Sequence, residues 1–390
     1  MFLKDVARVL YAPHKVFKDV IQNPSYLGPI LALLLFVAFE SGYTYSVLAK
    51  SNIEQTLPTG DKGDVWTNGA SYWTANAGVV VTNNYVNFVN GTTGTTYGNG
   101  SIQFEATNQS QIMGRIANFD QMINCGPNGY QNLSIRVNLV TPDVKPENVS
   151  LYLSSLSSSS FYYDLTPLVS NANITEWNNM TIPVGRGSWI SSSSNANWEN
   201  ITGLELDFTY ANNYHVAILV DGLFFRGLYK PALQIDAVSY MANGILSAFT
   251  QYVLEWLVLT ALIWGLIKVF KGQVTWKPIF IAVGIALMVM VVQALLTALV
   301  AQATIPQLYY PQEYFAGIPK EYTVAAQGLQ NAISTFYQIS IYIQLAVYAW
   351  LFAVNVFIVR TVTTFNWGKS MTIAAASLLL TIIIGLLIGF

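Results

Sequence analysis

Five long apolar stretches constrain this chain more than any other feature of its sequence. They lie near residues 27–49, 244–267, 278–301, 335–359 and 371–390. Each has about 20 or more residues, the length that an α-helix needs to cross roughly 30 Å of hydrocarbon. Tyr and Trp lie toward the ends of these stretches, as is typical of helices that span a bilayer. The sequence therefore predicts an α-helical polytopic membrane bundle of five transmembrane helices.

The composition excludes several other classes of protein. Of the 390 residues, 53% are hydrophobic and only 10% are charged, whereas soluble domains have about 25% charged residues. The net charge of −2 comes without a basic stripe, which argues against a nucleic-acid partner. A single cysteine, Cys125, excludes a disulfide framework, and His14 and His215 are too far apart to indicate a zinc site. We expect no cofactor and no metal.

The basic residues of the short segments predict the orientation, because cytoplasmic loops are enriched in Lys and Arg. These residues occur in 1–26, 268–277 and 360–369, which alternate passes place on one side. We expect that side to be cytoplasmic. Residues 51–235, the 302–334 loop and the C-terminus are then extracellular, and the protein is a multi-pass component of the plasma membrane.

The first 49 residues allow a second interpretation. Val47-Leu48-Ala49 has the small-residue spacing of a signal-peptide cleavage site, but the segment before the apolar stretch is too long for a signal peptide. Residues 1–26 are amphipathic, with apolar positions at helical spacing on both sides of Pro13. They predict short helices that lie in the headgroup region, pack on the cytoplasmic ends of the bundle, or do both.

Residues 51–235 predict an all-β extracellular domain inserted between the first two membrane helices. Short β-branched or aromatic runs are separated by Gly, Asn, Ser and Pro clusters at the spacing of a sandwich. Residues alternate clearly in 133–139 and 204–208, which predicts one buried and one solvated face. The predicted strands are 79–88, 101–106, 133–140, 149–153, 176–183, 203–210 and 215–225.

Sequons for N-linked glycosylation are confined to this same segment. An Asn-rich polar segment also generates such triplets by chance, so unmodified asparagines are the alternative. Their confinement to the stretch that the loop charges place outside favours glycans on an exposed surface. The candidate asparagines are Asn90, Asn99, Asn108, Asn132, Asn148, Asn173, Asn179 and Asn200.

The order of the motifs in this segment resembles a known class of β-sandwich. Trp73, the run 79–88 and the Gly-Ser-Ile-Gln-Phe that begins at Gly100 come first. Three more motifs follow, beginning with Trp177-Asn-Asn-Met-Thr-Ile-Pro, Trp198-Glu-Asn-Ile-Thr-Gly and Ile218-Leu-Val-Asp221-Gly. This order is similar to jelly-rolls of the galactose-binding or carbohydrate-binding-module type, in which the last strand, with its Asp-Gly turn, pairs with the first. The matching residues are core and turn positions, so the resemblance implies a fold and carries over no sugar site.

A second resemblance begins at the N-terminus. Pro13, then Phe17, then Asn23-Pro24-Ser-Tyr26 before the first apolar stretch resemble the opening of an archaeal-like Yip-type domain, from the five-helix family that interacts with Ypt and Rab GTPases. Five spans, a cytoplasmic N-terminus and an outward C-terminus also match.

The Yip likeness covers residues 5–45 and the helices after 240, and it implies a membrane-organising or trafficking scaffold without catalysis. The chain departs from the family pattern in two ways. A large β-domain replaces the usual short loop between the first two helices. The Asp-Leu-Tyr-Gly-Pro signature of eukaryotic members is missing, so Rab binding is not implied.

Polar side chains inside the apolar stretches are candidates for function, because a buried carboxyl is costly in lipid. Glu255 lies near the middle of the second helix and should face the bundle. It either relays protons or binds a substrate, or it is a protonated structural group that pairs with Gln293 or Gln344. The absence of an intramembrane cation and of an inverted repeat favours helix packing. The candidates are Glu255, Gln251, Gln293, Gln344 and Glu40.

Enzyme functions find little support in the sequence, and we predict no catalytic residues. A glycosidase needs two carboxylates that face each other, and nothing defines such a pair among Glu176, Glu199, Glu205, Asp207 and Asp221. His215 has no serine or cysteine motif nearby, and no phosphate-binding loop occurs. Some tryptophans could stack on sugar rings, although filling the core is commoner; they are Trp66, Trp73, Trp189 and Trp198.

The leading hypothesis is a non-enzymatic surface glycoprotein with a Yip-like membrane scaffold and an external sandwich or jelly-roll domain. Its expected partners are membrane lipid, a membrane protein or a second copy of the chain, and a glycan or a partner protein on the external face. The alternative is a transporter or channel with Glu255 as its coupling group and the β-domain as sensor or lid. A membrane-tethered glycan hydrolase is a third possibility. The largely uncharged surface of the β-domain suits an acidic exterior.

Overall fold

The computed structural model describes residues 8–59, 63–88, 98–156, 159–311 and 321–388. The chain forms two compact units, which are described separately. The helical unit comprises Met1–Asn52, Pro231–Leu308 and Leu329–Phe390. The β unit comprises Ile53–Lys230 and Tyr309–Gly328.

The helices include five spans that are long and apolar enough to cross a membrane, as predicted. These spans are α2, α5, α6 together with α7, α9 and α10. In chain order the helices are α1 (Pro13–Gln22), α2 (Leu27–Leu48), α3 (Val65–Asn68), α4 (Thr166–Ser170), α5 (Ala232–Val269), α6 (Trp276–Ala286), α7 (Met288–Thr304), α8 (Glu321–Ala332), α9 (Ser334–Val362) and α10 (Trp367–Ile388).

Two boundaries differ from the sequence expectation. α5 begins at Ala232, well before residue 244, and is interrupted by non-helical backbone at Asp236. The predicted external loop 302–334 contains the end of α7, a short strand and α8. A hydropathy pattern identifies only the apolar part of a helix, so it does not predict polar extensions such as these.

The core of the helical unit is built from large side chains whose polar atoms are hydrogen bonded. Tyr252 is fully buried, and its hydroxyl donates to the Gly284 carbonyl at 3.0 Å. The Trp256 indole N–H donates to the Phe280 carbonyl at 2.7 Å, and the two rings stack. These bonds remove most of the cost of placing a hydroxyl and an indole N–H among apolar helices.

The amphipathic N-terminal segment packs on the bundle. α1 begins at Pro13, where the missing N–H costs little. Its apolar positions Val16, Phe17 and Val20 are buried in the same cluster as α5, α6 and α9. The predicted packing of this segment on the bundle is therefore confirmed, and its position in the headgroup region stays a prediction.

The strands of the β unit are bounded by turns rich in Gly, Asn and Pro. In chain order the chain's strands are β1 (Ser51–Leu57), β2 (Thr74–Ala75), β3 (Val79–Asn84), β4 (Ser101–Ile116), β5 (Asn132–Thr141), β6 (Asn148–Ser155), β7 (Ser160–Asp164), β8 (Trp177–Pro183), β9 (Ile190–Ser191), β10 (Ile201–Pro231) and β11 (Leu308–Tyr310).

These strands form a two-layer sandwich in which β4 and β10 belong to both layers. In the first layer the order is β2, the end of β4, the start of β10, β6, β7 and β9. In the second it is β3, the start of β4, the later part of β10, β5 and β8. All of these pairs are antiparallel. The predicted all-β sandwich is confirmed.

The predicted strands 203–210 and 215–225 are in fact one continuous strand, β10. Its register against β4 shifts around Tyr214, where the strand passes from one layer to the other. The Asp221-Gly222 pair, expected to form a turn, lies inside β10 at a further register shift against β5. Bulges of this kind bend a strand without ending it, so the polar residues between the two runs do not indicate a turn.

The core of the β unit lies between the two layers. It is filled by the alternate apolar residues that the sequence pattern indicates, such as Leu204, Leu206 and Phe208. Trp66 and Trp73 are also buried there, and the Trp73 indole N–H donates to the Trp66 carbonyl at 2.7 Å. Cys125 is fully buried, and burial raises the pKa of its thiol to about 12, so it packs as an apolar side chain.

Candidate functional site

The second layer turns a polar surface away from the core, which we call the polar face. On β5 the odd residues from Leu133 to Leu139 fill the core, so the even residues point the other way. The strand register extends this alternation to the neighbouring strands, because residues that pair across strands point to the same side of the sheet. The polar face consists of Trp177, Asn179 and Thr181 on β8; Ser134, Arg136 and Asn138 on β5; Ala217, Leu219 and Asp221 on β10; Ser101, Gln103 and Glu105 on β4; and Val80, Thr82 and Asn84 on β3.

The centre of the polar face holds a cluster of buried charges. Asp221 is paired with Arg136 across the strands, and Asp64 lies beside Asp221; all three are at most 3% exposed. The Thr67 hydroxyl donates to Asp64 Oδ2 at 3.0 Å, and the Gly222 N–H donates to the same hydroxyl at 3.1 Å. The cluster therefore joins α3 to the middle strands of the layer.

The backbone at position 222 requires a glycine. Its φ is +57°, and a Cβ there would lie 1.9 Å from Arg136 Nη1. Only glycine combines this backbone conformation with such a close approach. The Asp-Gly pair in the sequence is thus explained by the guanidinium that packs against it.

Burial raises the pKa of Asp221 from 3.8 to about 8, helped by a hydrogen bond and charge repulsion from Asp64. The hydrogen bond from the Phe88 N–H to Asp221 Oδ2, at 2.7 Å, and the charge of Arg136 act in the opposite direction. Two carboxyls so close together cannot both be charged at low cost. Asp221 therefore keeps its proton through the acidic and neutral range.

Two polar atoms of the polar face lack hydrogen-bond partners in the described parts of the chain. They are Ser134 Oγ and Asn138 Oδ1, on either side of Arg136. Ser134 is 2% exposed and Asn138 is 7% exposed. A buried polar atom without a partner is costly, so these two atoms are suited to a ligand that brings hydroxyl groups.

An aromatic rim borders this cluster. Trp177 pairs with Asn138 across the strands and is half-buried. Its ring meets Phe88 edge-on at 6.4 Å, and the Arg136 guanidinium lies 4.4 Å from the centre of the Phe88 ring. By contrast, Trp189 and Trp198 pack against each other and against the core of the sandwich. Sequence reasoning missed Trp177 as a candidate.

Gln103 and Glu105 continue the polar face beyond β10. Asn84 donates to Gln103, and Gln103 Nε2 donates to Glu105 Oε2 at 2.8 Å. His215 Nε2 lies 3.7 Å from Glu105 Oε1. These side chains form a hydrogen-bonded row on the strands next to the buried cluster.

The other acidic candidates are scattered. Glu205 lies 3.9 Å from Arg115, and Asp207 accepts from Gln111 at 2.8 Å, both within the first layer. Glu176 accepts from Asn173, and Glu199 is exposed. Within the described residues, no group of three His, Cys, Asp or Glu could hold a metal ion.

Glu255 faces the interior of the helical unit and is 8% exposed. Neither Gln293 nor Gln344 is hydrogen bonded to its carboxyl in the described structure. Gln344 is exposed and donates to the Tyr348 hydroxyl at 3.0 Å, while Gln293 Oε1 is buried without a partner. Thus the pairing suggested for these residues does not form. Gln251 and Glu40 are both half-buried.

The structure adds two intramembrane polar residues that sequence reasoning missed. Thr260 on α5 and Asn355 on α9 are both fully buried, and their side-chain polar atoms have no partner in the described helices. Single polar residues within long apolar stretches are the signal that could have identified them.

The candidate glycosylation sites differ in exposure. Asn99, Asn108, Asn148, Asn173 and Asn179 are exposed, whereas Asn132 and Asn200 are half-buried. Asn90 lies outside the described residues. Asn179 belongs to the polar face, so a glycan attached there would compete for space with any ligand.

The model of the Yip1 domain family matches residues 191–389, slightly more than half of the chain. The chain belongs to the Yip1 domain family. Together with the five apolar spans, this makes it a multi-pass membrane protein. The Yip1 match includes β10 and helices α5 to α10, but not residues 5–45, where part of the sequence resemblance lay.

Solved structures are similar to the β region of this Yip1 domain protein. An exo-beta-agarase has 10% identity and a TM-score of 0.32, over 43% of this chain and 24% of that one. The family 11 carbohydrate-binding module from Clostridium thermocellum, in complex with a beta-1,3-1,4-mixed-linked tetrasaccharide, has 15% identity and a TM-score of 0.28, over 44% and 94%.

The CBM22-1 xylan-binding domain from Paenibacillus barcinonensis has 14% identity and a TM-score of 0.25, over 42% of this chain and 91% of that one. This chain thus spans about a quarter of the agarase and most of each binding module. At TM-scores this low, the likeness says nothing about what this chain binds. No curated protein matches the sequence.

Proposed function

We propose that this protein is a non-enzymatic membrane scaffold whose β unit binds a glycan on its polar face. The observation that carries this proposal is the pair of buried atoms, Ser134 Oγ and Asn138 Oδ1, which have no partner in the described chain and lie on either side of Arg136, with the Trp177 ring opposite Asn138. In this proposal the basic loops are cytoplasmic and the β unit is a glycosylated extracellular domain at the plasma membrane.

The chemistry of the polar face suits a sugar. A pyranose presents hydroxyls that both donate and accept, and a less polar ring face that packs on an aromatic side chain. Ser134 supplies a hydroxyl and Asn138 an amide oxygen, while Arg136 supplies guanidinium donors. Trp177 supplies a large, rigid ring beside them. A site built to hydrogen bond hydroxyls discriminates strongly against ligands that lack them.

The spacing of the carboxyls favours binding over hydrolysis. Glu105 pairs with Ala217, four residues before Asp221 on the same strand. At ~3.3 Å per residue, Glu105 and Asp221 are roughly 13 Å apart along the strand. Glycosidase carboxyls are about 5–9.5 Å apart. Asp64 and Asp221 are too close, since they share a hydrogen bond.

The test is binding of soluble polysaccharides to the full chain in detergent, measured by affinity electrophoresis. Trp177→Phe keeps an aromatic ring but reduces its area, and Trp189→Phe is the matched control, because Trp189 packs against Trp198 and does not belong to the polar face. We expect Trp177→Phe to weaken retardation by about fivefold or more, the scale of one aromatic contact, and Trp189→Phe to leave it unchanged. If no polysaccharide retards the wild-type protein, or if both variants bind equally, the proposed glycan site is wrong.

The membrane part is proposed to associate with a membrane protein or a second copy of the chain. Yip1 family membership supports a scaffold in the membrane. The mass of the full chain in lipid nanodiscs, and its co-purifying membrane proteins, test this association. A lone monomer with no co-purifying protein would contradict it.

A transporter or channel is the second candidate, because three buried groups of the helical unit lack hydrogen-bond partners among the described residues. No described residue is hydrogen bonded to the Glu255 carboxyl, and Thr260 and Asn355 lie on the same two helices as Glu255 and Tyr348. Flux through proteoliposomes tests this function. Loss of proton-dependent flux in Glu255→Gln, at unchanged stability, would favour transport over scaffolding.

A further inference from the structure

A pocket opens at the end of the helical unit where α5 and α9 finish and α6 begins. Its volume is about 510 Å³. Its polar lining residues are Lys268, Gln273, Thr275 and Thr361. The remaining lining is apolar, and includes Ile21 at the end of α1 and Ile279 on α6.

Two kinds of surface therefore meet in one pocket. The apolar part includes Val362 and Pro278 as well as the two isoleucines, and it is continuous with the hydrophobic helices. The polar part offers an ammonium, a side-chain amide and hydroxyls. Phospholipids have the same division, with acyl chains next to a charged phosphate, at the depth where membrane helices end.

The positive charge around the pocket favours an anionic ligand. No carboxylate in the described chain forms an ion pair with Lys268. Further cations lie on the same helix ends, at Lys271, Lys277 and Arg360. Asp19 on α1 is the acidic residue of these segments, so positive potential prevails around the pocket.

The hydrogen-bond donors point to a phosphate oxygen as the acceptor. The Thr361 hydroxyl already donates to the Phe357 carbonyl at 2.6 Å. Thr275 precedes the first turn of α6, and its side chain makes no capping bond. Lys268, Gln273 and Thr275 are thus the donors available at the rim, and the uncapped start of α6 adds favourable polarity for an anion.

We propose that this pocket binds a phosphate group, carried by an anionic phospholipid. Lys268 and Thr275 contact the phosphate oxygens, and the apolar lining receives the start of an acyl chain. Inorganic phosphate shares the headgroup chemistry but cannot use the apolar lining. The two sources are therefore distinguishable by experiment.

The experiment is native mass spectrometry of the delipidated full chain in detergent. The probes are phosphatidylglycerol, phosphatidylcholine and inorganic phosphate. We expect retained phosphatidylglycerol, little phosphatidylcholine, and no competition from inorganic phosphate at matched concentration. Lys268→Gln should weaken phosphatidylglycerol binding by about tenfold, the scale of one charge-assisted hydrogen bond.

Lys271→Gln is the matched control, because Lys271 is an exposed cation on the same helix end that does not line the pocket. It should bind phosphatidylglycerol like the wild type. Thr275→Val tests the rim without changing the charge and should also weaken binding. Equal weakening by Lys268→Gln and Lys271→Gln would overturn the pocket in favour of general electrostatic attraction. Full competition by inorganic phosphate would show that the pocket binds free phosphate and would overturn the proposal that the phosphate belongs to a lipid.

Discussion

At the residue scale, the protonation of Asp221 on the polar face affects the stability of the β unit. Asp221 is hydrogen bonded to Asp64 and pairs with Arg136 across the strands, and its pKa is raised to about 8 by burial and by Asp64. The folded protein therefore holds a proton between about pH 4 and pH 8 that the unfolded chain releases. Because the folded state binds more protons in that window, this group stabilises the fold at low pH and contributes less as pH rises toward 8.

We predict that the stability of the β unit falls from pH 5 to pH 8 and that Asp221→Asn flattens this slope. The asparagine keeps the shape and hydrogen-bonding capacity of a neutral carboxyl but does not titrate. Chemical unfolding of the full chain in detergent, followed by tryptophan fluorescence at each pH, measures the slope. Asp207→Asn on the same strand is the control, and an unchanged slope in Asp221→Asn would show that another group is responsible.

A β unit that is more stable at pH 5 than at pH 8 agrees with the expectation of an acidic exterior. A protonated Asp221 and a surface of amides and hydroxyls both tolerate low pH, since few ion pairs are lost there. Unfolding of the β unit with a midpoint near pH 5 on acidification would contradict that expectation.

At the scale of elements, the contact between α5, α6 and α2 depends on a glycine. A Cβ on Gly284 would lie 2.5 Å from the Trp256 ring and 2.7 Å from Pro29. The Gly284 carbonyl also accepts the Tyr252 hydroxyl. Small residues let membrane helices approach closely, and the gain is in packing rather than in hydrophobic transfer.

We predict that Gly284→Ala destabilises the helical unit by about 1–3 kcal/mol, the usual cost of overpacking a filled core. Gly265→Ala is the matched control on α5, because a Cβ at Gly265 meets nothing within 4 Å. That control should be neutral or slightly stabilising, since alanine is the better helix former. Unfolding in mixed micelles measures both variants; equal stability would mean that α6 shifts to accept the methyl group.

At the scale of the whole molecule, glycan occupancy of the exposed sequons tests the proposed orientation. Glycan attachment requires an accessible asparagine on the outside of the cell. We predict modification at Asn99, Asn108, Asn148 and Asn173, which are exposed, and little at the half-buried Asn132 and Asn200. Glycopeptide mass spectrometry of protein from its native membrane measures the occupancy, and a complete lack of glycan would contradict the extracellular placement.

Asn179 connects this prediction with the glycan-binding proposal. It is exposed, but it belongs to the polar face beside Arg136. If the polar face binds an external glycan, Asn179 should be unmodified in the binding-competent protein. The same glycopeptide measurement decides this.

Sequence alone determined the five membrane spans and the β-sandwich, because apolar length and period-two alternation are local properties of a chain. Tertiary structure decided what these elements do together. Residues 64, 136 and 221 lie far apart in sequence, and only the pairing of β5 with β10 and the contact of α3 with Gly222 make them one buried cluster. The partners of Glu255 and the lining of the pocket near Lys268 depend likewise on helix rotation and packing, which apolar composition leaves open because every side of a membrane helix is hydrophobic.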